Sequence, residues 1–367
     1  MTRSDEPGPE PAKPRTSADP DSSTSPEHAA SATAEQVREA DTREENPPPR
    51  AAVVYNPTKV DLEVLRATVD AAAEEASWGE TSWIETTADD PGESMARQAV
   101  EQGVDMVIAA GGDGTVRAVT QGLIGSDVAL GLLPSGTGNL LARNLDLELK
   151  DLTQAVSTAF AGEDRSIDVG MARIRRKDGT EEELAFVVLA GLGLDAQMIE
   201  HTDEELKKKI GWLAYARAIA NALRGGNRIR MRIGVDAEPQ RTRNMHTLLI
   251  GNCGNLPGNI VLLPEATLDD GLLDIVALRP DGFFGWLQIW AKVVVENYVL
   301  NRTEVGRRLQ GAQKSVRALR YLTGKKVIVA LRHPEPFELD GDSYGEVTAF
   351  QIEVVPRSLR VRVRPTD

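Results

Sequence analysis

The sequence predicts two folded parts, an α/β domain over residues 50–165 and a mainly antiparallel β domain over 166–351, behind a disordered acidic, proline-rich arm over 1–49. Three observations carry this. From Ala51 to Asn144, short apolar runs alternate with segments of helical period, the pattern of a parallel sheet covered by helices. Past Asp164, strand-like runs follow one another with few helices between them. Residues 1–49 hold nine of the twenty prolines, eleven acids against five bases and almost no large apolar side chain, so burial cannot offset their ordering entropy. A bare solvated tail and a regulatory or phosphorylated one are the two readings of that arm.

In chain order, AAVVYNP (51–57) is a buried-type strand that ends in an Asn-Pro turn. Asp61–Ala76 places Leu62, Leu65, Val69, Ala72 and Ala76 on one helix face. SWIETT (82–87) reads as a strand and Ser94–Gln102 as a helix. Val107–Ala110 and Val128–Leu133 are short apolar runs that fit buried parallel strands, and each meets a glycine-rich turn where a helix can start.

The run SIDVGMARIRRKDGTEEELAFVVLAG (166–191) reads as two strands around a hairpin turn at Asp178 and Gly179. Asp203–Arg224 is helical behind a capping-like TDEE. IRMRIGVD (229–236) alternates with period two, and MHTLLIGN (245–252) is apolar. VALR (276–279), KVIVALRH (326–333), TAFQIEVV (348–355) and SLRVRVRP (358–365) add strands. The strands around 352–367 are candidates to pack back on the first domain. No internal repeat is visible.

The helix Phe283–Leu300 confines its polar positions, Gly285, Gln288, Lys292 and Glu296, to one stripe, with Trp286 and Trp290 on the apolar side. Two charges within it argue against a membrane span. It fits a core or homodimer-interface helix, or a lipid contact. From Arg302 to Arg332, nine basic residues face one acid, Glu304; a solvated face and an anionic membrane surface both suit such a band.

Composition narrows the chemistry. A net charge of −14 argues against nucleic acid as a general partner. The single cysteine, Cys253, excludes an internal disulfide and a cysteine-cluster metal site, and the four histidines show no zinc-ligand spacing. The start has no apolar signal region, so a reducing, cytoplasmic setting is expected.

The two turns, GGDGT (111–115) and PSGTGN (134–139), carry the functional signal. Glycine lets backbone approach a ligand closely, and helix N-termini offer unpaired N–H groups to phosphate. Read alone, GGDGT is equally a tight strand-to-helix turn with a capping aspartate. Its meaning sharpens when NPT (56–58), PSGTGN, LDDGLLD (268–274) and LDGD (339–342) accompany it in order. Together with IDVG (167–170), AGLGLDA (190–196) and IEVVPRSLRVRV (352–363), these motifs resemble the diacylglycerol kinase catalytic family over residues 51–364. Sphingosine kinases and, more remotely, NAD kinases are its relatives.

The resemblance implies an ATP-dependent, Mg²⁺-assisted lipid kinase. It places Gly111, Gly112, Gly114 and Thr115 along the triphosphate, with Asp113 anchoring Mg²⁺ through water. Asn56, Pro57, Thr58, Gly136, Thr137 and Asn139 join the nucleotide site, as does Thr87, for which Thr86 could substitute. Asp168 would enter the network around the nucleotide metal, unless it is a turn residue at a domain junction. A second, structural Mg²⁺ would be held by the Asp270 carboxylate and the carbonyls of Thr267 and Leu272, unless this loop is an acidic hairpin turn without metal.

Two departures stand out. The family more often has Asp after the Asn of the second turn, where this chain has Leu140. The family's general base is the Glu of Asp-Gly-Glu, where this chain has Asp340-Gly341-Asp342. Aspartate keeps the carboxylate with one methylene less reach, so Asp342 takes the role of base, with Glu346 and Asp340 as fallbacks and a plain turn as the alternative. The implied acceptor is a diacylglycerol-like lipid, a sphingoid base or another glycerolipid. The implied location is cytoplasmic and peripheral to the inner membrane face. An NAD kinase-like enzyme and a catalytically silent nucleotide- or lipid-binding regulator are the competing functions.

Overall fold

The computed structural model describes residues 47–193, 228–256, 260–279 and 319–365. The arm up to residue 46, the end of AGLGLDA, the helices expected at Asp203–Arg224 and Phe283–Leu300, and the basic band up to residue 318 lie outside the described residues. Residues from Pro48 onward belong to one compact unit.

Four short strands form the parallel part of the sheet: β1 (Ala51–Tyr55), β2 (Ser82–Glu85), β3 (Met106–Gly111) and β4 (Ala129–Pro134), in the spatial order β2-β1-β3-β4. Helix α1 (Leu62–Glu75) starts where the Asp61 carboxylate accepts the N–H groups of Glu63 and Val64. Helices α2 (Glu93–Glu101), α3 (Asp113–Leu123), α4 (Leu140–Asn144) and α5 (Leu152–Ala161) complete the set. β1, β3 and β4 are apolar throughout because both faces are covered, whereas β2 (SWIE), at the sheet edge, is only partly buried. Val53, Ile108 and Leu133 pack with Leu65, Val69, Val156 and Phe160 of α1 and α5. Val54, Val107 and Leu130 pack with Ala96, Ala99, Val119 and Leu123 of α2 and α3. Each such buried Val, Leu, Ile or Phe contributes about 1.5–3 kcal/mol relative to exposure.

The remaining strands are mostly antiparallel: β5 (Glu163–Arg175), β6 (Glu181–Phe186), β7 (Leu189–Leu192), β8 (Ile229–Val235), β9 (Arg241–Met245), β10 (Thr247–Gly251), β13 (Leu273–Leu278), β14 (Leu319–Gly324), β15 (Lys326–Leu339) and β16 (Asp342–Val363). A separate short pair joins β11 (Asn255–Leu256) and β12 (Ile260–Val261). Their core centres on Phe186, Phe337 and Phe350, with the last two rings 4.9 Å apart.

β16 is the strand that ties the molecule together. It pairs antiparallel with β15 and β5, and at Arg360 and Val361 it joins β4 in parallel. All fourteen strands outside the small pair thereby form one sheet among the described residues.

Several expectations change. TAFQIEVV and SLRVRVRP are one strand, interrupted by a register shift between Val355 and Leu359 where Arg357 adopts φ 49°. The run expected as two strands over 166–191 forms three, because pairing breaks at Val187 and Val188. The expected domain boundaries fall inside β5 and β16, so the sheet runs through both. The polar β9 and the helix α5 have no counterpart in the sequence reading. β9 is an edge strand held by pairing with β8 rather than by an apolar period.

Candidate active site

Both glycine turns sit at the carboxyl ends of adjacent parallel strands, β3 and β4, where open α/β sheets place ligands. They touch backbone to backbone: a Cβ on Gly136 would lie 2.7 Å from the Gly112 Cα. The Asp113 carboxylate crosslinks them, accepting from the Asn139 N–H at 2.9 Å and the Leu140 N–H at 2.6 Å. Asn139, at φ 48°, closes its own turn by accepting from the Gly136 N–H and donating to the Gly136 carbonyl. At position 140 it is therefore the backbone N–H that serves the site, while the leucine side chain is buried. Burial raises the Asp113 carboxyl, the N–H groups of Leu140 and Asn139 oppose this, and the charge of Asp342 adds to the rise.

The neighbouring strand end contributes NPT. The Asn56 N–H donates to the Ala110 carbonyl, and its side-chain oxygen accepts from the N–H and hydroxyl of Thr58. Pro57, Thr58 and Thr137 are exposed, whereas Thr115 is buried beneath Gly111. Of the two threonines after β2, Thr87 is exposed with its hydroxyl accepting from the Asp90 N–H, and Thr86 is buried.

The third component arrives from the β15–β16 turn. Asp340 (φ 50°) and Gly341 (φ 92°) reverse the chain there. Asp340 is buried, and its carboxylate accepts from the N–H groups of Val187, Val188 and Leu189 at 2.8–2.9 Å. Burial nevertheless pushes its carboxyl up to about 6. These bonds commit Asp340 to holding the break between β6 and β7. Asp342, two residues on, is half-exposed and lies against the start of α3: a Cβ on Gly114 would stand 2.9 Å from its Oδ2. Its Oδ2 also lies 3.9 Å from Arg117 Nε. Glu346 is exposed, opposite Pro336 on β15.

Asp168 and the LDDGLLD loop form a separate cluster. Asp168 is fully buried, and its carboxylate accepts from the Gly271 N–H at 2.6 Å and the Arg357 N–H at 2.8 Å, fastening the loop to the irregularity in β16. The Asp270 carboxylate accepts from the Leu272 N–H, and Asp269 pairs with Arg165. Burial, then the charges of Asp270 and Glu265, push Asp274 up to about 6. Oxygen donors and surplus negative charge thus collect beside Asp270. Arg117 and Tyr344 escaped the sequence reading. The available signal was the position of Arg117 one helical turn after Asp113.

Parallel strands ending in a backbone-lined double turn, faced by an acidic hairpin from a β-rich part, define a two-part α/β and β-sandwich protein. Residues 50–172 match the diacylglycerol kinase catalytic domain, and residues 187–363 match the YegS C-terminal NAD kinase beta sandwich-like domain. A diacylglycerol kinase of Bacillus subtilis is 30% identical over 235 residues, covering 63% of this chain and 74% of that protein. One of Mycobacterium tuberculosis is 31% identical over 183 residues, covering 50% of this chain and 58% of that protein. Against a relative in Synechocystis the chain likewise spans 57% of the other protein's length. The crystal structure of a putative diacylglycerol kinase from Bacillus anthracis shares the fold, with TM-score 0.67 and 19% identity over 89% of this chain and 98% of that one. This chain belongs to the diacylglycerol kinase catalytic-domain family.

Proposed function

We propose that this protein transfers the γ-phosphoryl group of Mg·ATP to a lipid hydroxyl, with a diacylglycerol-like lipid as acceptor. The observation that carries the reading is the contact of Asp342 with Gly114, which sets a half-exposed carboxylate beside the backbone cradle. The turn N–H groups other than those of Ser135, Gly136 and Asn139, which are spent within the turns, hold the phosphates and receive the charge that develops on the transferring group. Asp342 takes the proton of the acceptor hydroxyl as its oxygen bonds to the γ-phosphorus and the bond to the β-phosphate oxygen breaks, leaving ADP.

The residues fit a magnesium ion. Among the described residues no group of three or more His, Cys, Asp or Glu gathers to cage a metal, and Mg²⁺ in such sites uses one or two carboxylates together with waters and phosphate oxygens. Asp113 offers that carboxylate from between the turns. When bound, the ion neutralises phosphate charge. The acids around Asp270 suit a second, structural cation held with the carbonyls of Thr267 and Leu272.

Among the described residues no helix is long and apolar enough to cross a membrane. The proposed acceptor resides in a bilayer, and the reading is that the enzyme meets it by peripheral docking on the cytoplasmic face. The test is incubation with labelled ATP, Mg²⁺ and a panel of diacylglycerol, sphingoid base and other glycerolipids, with a parallel lipid-free incubation containing NAD. Label should appear in a lipid; ATP binding without labelled lipid would sink the kinase reading in favour of a silent binder, and label in NAD would favour the soluble-substrate alternative.

A further inference from the structure

We infer that Arg117 is the positioning residue that holds Asp342 over the glycine cradle, an inference that rests on the kinase reading above. Arg117 lies on α3, one turn beyond Asp113, with its side chain only 9% exposed. Its Nε atom is buried without a hydrogen-bond partner and faces Asp342 Oδ2 at 3.9 Å. Its guanidinium carbon stands 4.9 Å from the centre of the Tyr344 ring. A guanidinium so far removed from water is costly unless its charge is matched; Asp342 and Tyr344, and at longer range the buried Asp340, all come from one hairpin.

Asp342 and Tyr344 are two residues apart on β16, the spacing that puts side chains on one face of a strand. Arg117 therefore meets a carboxylate and an aromatic face presented together, and the ring supplies the electrostatic attraction of a π-face for a cation. Burial pushes the Tyr344 hydroxyl up to about 12, so the ring remains neutral and is not itself a proton acceptor near neutral pH. The Arg176 side chain donates to the Tyr344 carbonyl and pairs with Glu182, so it also holds this strand. Arg97 is paired with Glu93.

The need for such a clamp follows from the turn. Asp342 comes directly after Gly341, at φ 92°, and its side chain is 51% exposed, so its carboxylate has rotamer freedom that a contact with α3 restricts. A shorter acid than glutamate reaches the acceptor only where its own backbone is placed. The Arg117 contacts fix that placement relative to α3, the helix whose N-terminus forms the cradle.

The experiment compares wild type, R117Q, R117K and Y344L by kcat, by KM for ATP and lipid, and by thermal unfolding. A misplacement of about 1 Å costs up to about 100-fold in rate, so R117Q should lose about 10- to 100-fold in kcat while KM for ATP stays within about two-fold. R117K, which keeps a cation on a long stem, should recover part of that loss. Should R117Q fail to fold, Y344L gives the same readout by removing the ring and leaving the arginine. An R117Q kcat within two-fold of wild type, a loss that R117K does not recover, or a loss that falls on KM for ATP would each overturn the inference. Wild-type turnover of the same lipid is measured alongside: its absence overturns the kinase reading and this inference together, whereas the outcomes above overturn this inference alone.

Discussion

Asp342 Oδ2 lies 2.9 Å from the point where a Cβ on Gly114 would stand, so the acidic hairpin of the β-rich part closes directly onto the first turn of α3. Glycine at 114 is what permits that approach, since any side chain there meets the carboxylate.

Asp342→Asn removes the proton acceptor and keeps the shape. Turnover should fall by at least about 100-fold, the usual contribution of a positioned base, while ATP affinity changes by less than about two-fold. Gly114→Ala should displace the carboxylate and reduce kcat about ten-fold without a matching loss of ATP affinity. Steady-state kinetics and equilibrium nucleotide binding check both, and retained activity in D342N would reassign the base.

Gly136→Ala tests the double turn. Its Cβ would stand 2.7 Å from the Gly112 Cα, a backbone atom that cannot swing aside. Overpacking of this kind costs about 1–3 kcal/mol. ATP binding should weaken with stability, because the turns and the Asp113 crosslink are pushed apart together. Urea unfolding and nucleotide titration measure the two effects; unchanged ATP affinity would remove the second turn from the cradle.

Asp340→Ala leaves three buried N–H groups without their acceptor and should cost several kcal/mol, at about 1–3 kcal/mol for each orphaned group. The pH dependence has a definite sign. Burial raises the folded carboxyl from 3.8 to about 6, so its contribution is full below 3.8 and is lost as pH rises through about 6. The stability gap between wild type and D340A should therefore narrow from pH 4 to pH 7. Urea midpoints across that range check this, and a widening gap would refute it.

Asp270→Asn addresses the proposed structural cation. Added Mg²⁺ should raise the melting temperature of the wild type near neutral pH, because a bound cation relieves the crowding of Asp270, Asp274 and Glu265. The nucleotide is omitted so that the other site does not respond. D270N should lose most of that shift; an equal shift in both proteins would place the ion elsewhere.

Much of the α/β half was legible because its signals are local. Apolar runs ending in an Asn-Pro turn or a glycine turn specify β1, β3 and β4 to within a residue or two, since a strand buried on both faces requires an unbroken apolar run. The period of Leu65 and Val69 specifies α1 equally well. The glycine motifs mark, by their order along the chain, where the backbone turns tightly after β3 and β4. Strands made by pairing escaped: β9 carries no apolar period, and the single course of β16 depends on β5, β15 and β4 holding it across Arg357.

The chemistry of the closing hairpin shows the division most plainly. By spacing alone, Asp340 and Asp342 are equivalent acids on either side of one glycine, and only the family resemblance ranks Asp342 first. Tertiary structure separates them: Asp340 turns inward to three N–H groups around Val188, and Asp342 turns out to Gly114 and Arg117. What the sequence alone determined is the two glycine turns and the strands beneath them, because spacing along the chain encodes them. That Asp342 lies against α3 while Asp340 is buried, and that Arg117 stands beside Asp342, were decided only in the folded chain, because contacts between residues so far apart leave no period to read.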